Sequence, residues 1–193
     1  MSRLESERTD RIIALAGRRI DPPLVEMPRF PEAEAGSVAR KIHRVLMERR
    51  AAVLVCAAAC GADIIALEVA GELGLRRRVL LPSPPSTFRE GSVTDRPGDW
   101  GGRFDRLMAD IAAAGDLVVS SQPLVSEPDY FRGNIDILDE AARLAAEGGL
   151  PVEAVVVWNG VARGDDDVTA HFRAEALRRT LPVTEVLTIA ADD

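Results

Sequence analysis

The chain has 193 residues, 47% of them hydrophobic and 28% charged, and 24 Lys and Arg against 31 Asp and Glu give a formal charge of −7. That balance suits one soluble globular domain with a sizeable core and excludes the basic surface of an extended nucleic-acid interface. No apolar run approaches the roughly 20 residues that span a bilayer, and the charged opening MSRLESERTDR lacks an apolar signal segment, so a cytoplasmic protein without membrane contact is expected.

Residues 1–11 read as a flexible tail and residues 12–193 as a single domain. Residues 12–16 (IIALA) form a short apolar strand ending at Gly17. Pro22, Pro23, Pro28 and Pro31 then keep the chain out of helix. Helical spacing runs over residues 33–50, with Val38, Ile42, Val45 and Leu46 on one face. Residues 52–56 read as a buried parallel strand. Small residues follow, and Asp63 begins a helix through Ile64, Leu67 and Val69. Residues 78–81 (RVLL) are a third strand. Residues 82–102 read as a long irregular segment of the kind that serves as a binding loop or lid. Phe104, Leu107, Met108 and Ile111 mark a third helix, and residues 116–120 a fourth strand, with a loop at Ser121-Gln122-Pro123. Residues 131–146 form a fourth helix, 152–158 a fifth strand, 168–179 a fifth helix and 183–189 a last strand.

Strands alternating with helices at this spacing predict a doubly wound, Rossmann-like α/β fold. Its mostly parallel sheet has about six strands, with helices on both faces. Ligands in such sheets bind beyond the carboxyl ends of the strands, so the segments after each strand hold the candidates. These are Gly17, Arg18, Arg19 and Asp21, then Cys60, Gly61, Ala62 and Asp63. Phe88, Arg89, Ser92, Trp100 and Arg103 follow the third strand, Tyr130 and Asn134 the fourth, and Trp158, Asn159 and Gly160 the fifth.

The turn from Cys60 to Asp63 looks like an open helix start, with backbone N–H groups free for an anion and a glycine that lets a ligand come close. Arginine forks hold phosphate and aromatic faces stack on a base; the same aromatics can equally roof the core. One of Arg18 and Arg19 points inward and the other outward. Asp63 either caps its helix or reads a ligand hydroxyl, and Glu68, just over a turn along, is a second candidate acid or base. Cys56 and Cys60 have no nearby histidine, since His43 and His171 are remote in sequence, so buried packing thiols and neither metal nor resident cofactor are expected. A phosphate-gripping G-x-x-x-x-G-K-[ST] loop, a G-x-G-x-x-G turn, a G-x-S-x-G elbow and an H-E-x-x-H pair are all absent.

Taken in order, Gly17-Arg18-Arg19-Ile20-Asp21, Pro28-Arg29-Phe30-Pro31, Ala58-Ala59-Cys60-Gly61-Ala62-Asp63 with Glu68, Leu81-Pro82, Phe88, Ser92-Val93, Trp100 and Arg103-Phe104 form a series that resembles the SLOG superfamily. This Rossmann-like group unites Smf/DprA-type and LOG-type proteins, and the likeness is to its bacterial signalling-associated branch. The resemblance implies a site for a nucleotide or an NAD- or ADP-ribose-like ligand at Gly17 with Arg18 and at Gly61 to Asp63. It also implies a homodimer and a signalling partner protein. LOG-type members cleave the base from a nucleoside monophosphate through a P-G-G-x-G-T-x-x-E block. This chain has a single glycine there, and Glu68 stands seven residues past Gly61, about one helical turn further along than in that block. Ligand sensing is therefore the leading expectation, with N-glycosidic hydrolysis by Glu68 or Asp63 as the alternative and a non-catalytic interaction subunit with a vestigial pocket as the third.

Overall fold

Strand interiors here are apolar on both sides, as a sheet covered on two faces requires. In the computed structural model, which describes residues 9–120 and 127–189, six parallel strands run in the order β4-β3-β2-β1-β5-β6. They are β1 (Arg11–Gly17), β2 (Ala51–Cys56), β3 (Arg76–Leu81), β4 (Leu117–Val119), β5 (Val152–Trp158) and β6 (Val183–Leu187). The helices are α1 (Ala35–Glu48), α2 (Ala62–Glu72), α3 (Pro85–Ser92), α4 (Trp100–Ala113), α5 (Glu127–Gly148) and α6 (Val168–Arg178), with a 3-10 turn at Glu32–Glu34. The first eight residues and the Ser121-Gln122-Pro123 loop lie outside the described residues, as does the side chain of Tyr130.

Alternation along each strand feeds two cores. Ile13, Leu15, Leu54, Cys56, Val79, Leu81, Val155 and Val157 face α1, α2 and α4. Ile12, Ala14, Val53, Val55, Ala154 and Val156 face α5 and α6. After β4 the chain returns over the second face to β5, which pairs with β1 from Ile12↔Val152 to Gly17↔Val157. The strand order therefore reverses between β1 and β5, and a doubly wound sheet opens its ligand crevice at such a reversal. No helix among the described residues is long and apolar enough to cross a membrane.

The expected irregular segment 82–102 is different in kind. It contains α3, which starts with Pro85 at a first-turn position, where proline has no N–H to lose and its fixed φ already fits a helix. Trp100 belongs to α4 and is 1% exposed, so its ring is core and its indole N–H donates to the Pro97 carbonyl at 2.7 Å.

Candidate functional site

Beyond the carboxyl ends of β1 to β4 lies a cavity of about 1220 Å³. Its floor is the strand ends and the segments that leave them: Gly17 to Asp21, Ala57, Ala59 and Asp63, Leu80 to Pro82, and Val118 to Ser120. Phe88 and Ser92 of α3 form one wall, and Gly133, Asn134, Asp136 and Ile137 of α5 another. The proline-rich loop after β1, with Leu24, Val25, Met27 and Arg29, closes the rim together with Arg96 and Arg163.

Of the residues expected from sequence, Gly17, Arg18, Arg19, Asp21, Asp63, Phe88 and Ser92 line this cavity. Cys60, Gly61, Ala62, Glu68, Arg89, Trp100, Arg103, Trp158 and Gly160 do not. The turn before α2 shows why. Gly61 sits at φ +94, and a Cβ there would lie 2.8 Å from both the Arg18 carbonyl oxygen and the Ile20 nitrogen. The Ala62 N–H donates to the Arg18 carbonyl at 3.1 Å and the Cys60 N–H to that of Ser92 at 3.0 Å. The close approach that Gly61 permits is therefore to the chain's own β1–α1 segment. Gly17 serves the same packing, because a Cβ there would overlap the Cβ of Ala62 and lie 2.7 Å from that of Val157.

Arg18 and Arg19 both reach the cavity wall but do different work. Arg18 is 6% exposed. Its guanidinium forks onto Asp167 at 2.6 and 2.7 Å, and it also donates to the Val161 carbonyl at 2.8 Å and to Asn159 Oδ1 at 3.3 Å. Asp167 is the N-cap of α6, accepting from the N–H groups of Thr169 and Ala170 and from that of Arg163 at 2.7 Å. Burial alone would raise the Asp167 carboxyl; the Arg18 fork and the backbone donors outweigh it and hold the group at about 2. The helix start at the β1/β5 reversal, where an anion would otherwise be received, is thus filled by the chain's own carboxylate and arginine.

Arg19 pairs instead with Asp95, which also binds Arg96 at 2.6 Å. Among the described residues its Nε is buried without a hydrogen-bond partner, and so is Oδ1 of Asp63. Asp63, 7% exposed, accepts one bond, from the Ala59 N–H at 3.2 Å to Oδ2. Desolvation outweighs that bond and the charge of Arg19, and pushes the carboxyl up to about 7. A buried carboxyl with a free oxygen, titrating near neutrality on a cavity wall, has the character of a functional group. Cys56 and Cys60, beside it, are both pushed upward, Cys56 by burial and then the charge of Asp63, and Cys60 by burial against the pull of Arg19. Both therefore stay as neutral, unreactive thiols.

The remaining candidates have structural roles. Glu68 is held by Arg103 at 2.8 Å on the outer side of α2, and Arg103 lies 4.0 Å over the Trp100 ring. Arg89 binds Asp105 at 2.8 Å. Trp158 faces α6 and its indole N–H donates to Glu185 at 2.9 Å. Asp21 accepts from the N–H groups of Arg29 and Phe30, both at 2.8 Å, and so staples the two ends of the proline loop.

The sequence reading did not name Arg29, Arg96, Arg163 or Asp167 as site residues, although Arg29 stands in the Pro28-Arg29-Phe30-Pro31 stretch; Asp167 carried a further local signal, an acidic residue directly before a helical Val-Thr start. No group of three or more His, Cys, Asp and Glu suited to a metal ion occurs among the described residues.

No protein-family model matches this sequence, and no curated protein matches it. The functional reading therefore stands on the cavity and the groups that line it.

Proposed function

We propose that the cavity binds a nucleotide or a nucleotide-derived ligand of the NAD or ADP-ribose type, and that the chain acts as a SLOG-like sensor module. The observation that carries this reading is the cavity itself, at the carboxyl ends of a doubly wound sheet, where ligands of this fold bind. Its volume of about 1220 Å³ is above the roughly 300–1,000 Å³ of ordinary small-molecule pockets, which favours a ligand in two parts. The lining is divided to match. Ile20, Leu80, Phe88, Val118 and Ile137 offer apolar wall for a base, and Arg29 offers positive charge at the rim for phosphate. Arg96 is already held by Asp95 and the Ile20 carbonyl, and the same lining carries Glu26, Asp136 and Asp166. The guanidinium of Arg29 has no acceptor among the described residues. A homodimer and a signalling partner protein belong to the same SLOG-like reading.

Thermal-shift and calorimetric titration with nucleoside monophosphates, NAD and ADP-ribose tests it. Saturable binding by at least one of them is expected. No binding across the set would favour a non-catalytic interaction subunit.

A second reading, N-glycosidic hydrolysis, is favoured by one observation: Asp63 lines the cavity with a pKa of about 7, suited to a general acid or base. Glu68 is tied to Arg103 away from it. Chromatography of the same mixtures separates the two readings. Release of free base that is lost in Asp63→Asn and kept in Glu68→Gln would make the protein a hydrolase working through Asp63.

A further inference from the structure

Large apolar side chains reach solvent mainly in one stretch of the chain, the loop after β1. Of the seven large hydrophobics exposed among the described residues, Leu24, Val25 and Met27 stand together there, Leu24 fully exposed and Met27 72% exposed. All three line the cavity, as does a fourth of the seven, Val119 at the end of β4. A lone surface leucine needs no explanation, but an apolar cluster at the mouth of a pocket marks a surface that something covers.

The same loop is fastened at its base and free between. Oδ2 of Asp21 accepts from the Arg29 and Phe30 N–H groups, both at 2.8 Å, and the Asp21 N–H donates to the Phe30 carbonyl at 3.0 Å. Thr188 donates to the Arg29 carbonyl, and Nε of Arg96 to that of Ile20 at 3.0 Å. The side chains of Ile20 and Phe30 are buried in the core. From Pro22 to Pro28, by contrast, no hydrogen bond or ion pair joins the chain to another segment among the described residues. Three of those seven residues are prolines, which have no N–H to give. Leu24 holds φ +62, a region a leucine seldom adopts, and its side chain lies in solvent, so packing does not enforce that conformation.

We propose that residues 22–28 are a lid that closes over the cavity when its ligand is bound, an inference that rests on the cavity being the ligand site proposed above. Asp21, with its bonds to Arg29 and Phe30, is the fixed base. Leu24, Val25 and Met27 turn inward from it to cover the apolar part of the ligand. Leu24 stands three residues from Asp21, so its backbone can move within a radius of about 10 Å, roughly two strand spacings across the sheet. Closure takes apolar surface of both loop and ligand out of water, which the open loop does not achieve. It also shuts the ligand in, so the lid acts on the rate of release more than on the rate of entry. The competing occupant of the same side chains is a second copy of this chain.

The test uses the full chain with AMP and ADP-ribose, in wild type and in Leu24→Ser/Met27→Ser, each checked for folding by its thermal melt. Cys56 and Cys60 are buried, so a nitroxide on Leu24→Cys marks one position, and one on Met47→Cys, an exposed site on α1, is the control. Saturating ligand is expected to immobilise the label at position 24 and leave the control unchanged. The double serine variant should release ligand at least tenfold faster, with an association rate within threefold of wild type. A label at position 24 as mobile in the complex as in the free protein, or release from the double variant at the wild-type rate, would overturn the lid and leave the nucleotide reading intact. A wild-type dimer that the double variant loses, with release unchanged, would overturn it in favour of the second copy. If neither nucleotide binds, the nucleotide reading fails and relaxation dispersion of the backbone amides in the free protein decides the lid. Microsecond-to-millisecond exchange confined to residues 24–27 would support it, and its absence would overturn it.

Discussion

Replacing Asp63 by Asn should make the protein more stable, and more so as the pH rises. The wild-type carboxyl has an ordinary value of 3.8 when exposed and about 7 in the fold. Between those values the folded state holds a proton that the unfolded state has released, so stability falls as pH rises from about 4 to about 7 and levels off above. At about 1.36 kcal/mol per pKa unit, the rise from 3.8 to about 7 costs the native state roughly 4 kcal/mol at alkaline pH. Asparagine keeps the Ala59 N–H bond and carries no charge to desolvate. It leaves a buried amide N–H₂ unpaired beside Arg19, which returns about 2 kcal/mol of that gain. The net expectation at pH 8 is a stabilisation of about 2 kcal/mol, or about 4–8 °C in Tm for a chain of this size. Urea unfolding at pH 5 and pH 8 measures it directly. Wild type should lose roughly 3 kcal/mol between those two pH values through Asp63, and the variant should not. A variant less stable than wild type at both pH values, or with the same pH slope, would refute the reasoning and make Asp63 a structural group.

Arg18→Ala should destabilise by about 3 kcal/mol, since it strands the buried Asp167 carboxylate; denaturant unfolding reads it. Because Asp167 is held at about 2 against an ordinary 3.8, its contribution is complete above pH 4 and is lost as pH falls towards 2, so wild type should show an acid-side loss of stability that Asp167→Asn lacks. Gly61→Ala should cost roughly 2–5 kcal/mol, from a positive-φ position and a Cβ 2.8 Å from backbone atoms, and calorimetric Tm would show it. Glu68→Gln should change stability by less than about 1 kcal/mol and leave nucleotide binding unaltered in titration.

The sheet was legible because strand and helix periodicities are local properties. Runs such as AAVLVC and VEAVVVW could bury only as parallel strands between helix layers. The segment 82–102 was misread because its prolines count against helix in general, whereas Pro85 at the start of α3 counts for it. Within the site, the β1 and β2 ends were readable from strand position, which brought Gly17, Arg18, Arg19, Asp21 and Asp63 to one place. What the sequence could not carry was pairing across long separations. Arg18 meets Asp167 at a distance of 149 residues along the chain, and Arg103 meets Glu68 across 35. Each such pairing removes a charge from the candidate site, and none has a local signature. The open atoms of Arg19 and Asp63 were equally invisible, because an absence of partners exists only once the packing is complete.

The most direct test of the cavity as the binding site fills it from a position that tolerates bulk. Gly133 lies in α5 on the cavity wall, and among the described residues a Cβ there meets nothing within 4 Å. Gly133→Trp should therefore block the cavity without backbone strain and with a small gain in helix propensity. Calorimetric titration of wild type and Gly133→Trp with AMP and ADP-ribose is the measurement. The expected result is binding to wild type that weakens at least tenfold in the variant while its Tm stays equal or higher. Equal affinity in the two proteins, or no binding to wild type, would contradict a ligand site at the carboxyl ends of this sheet.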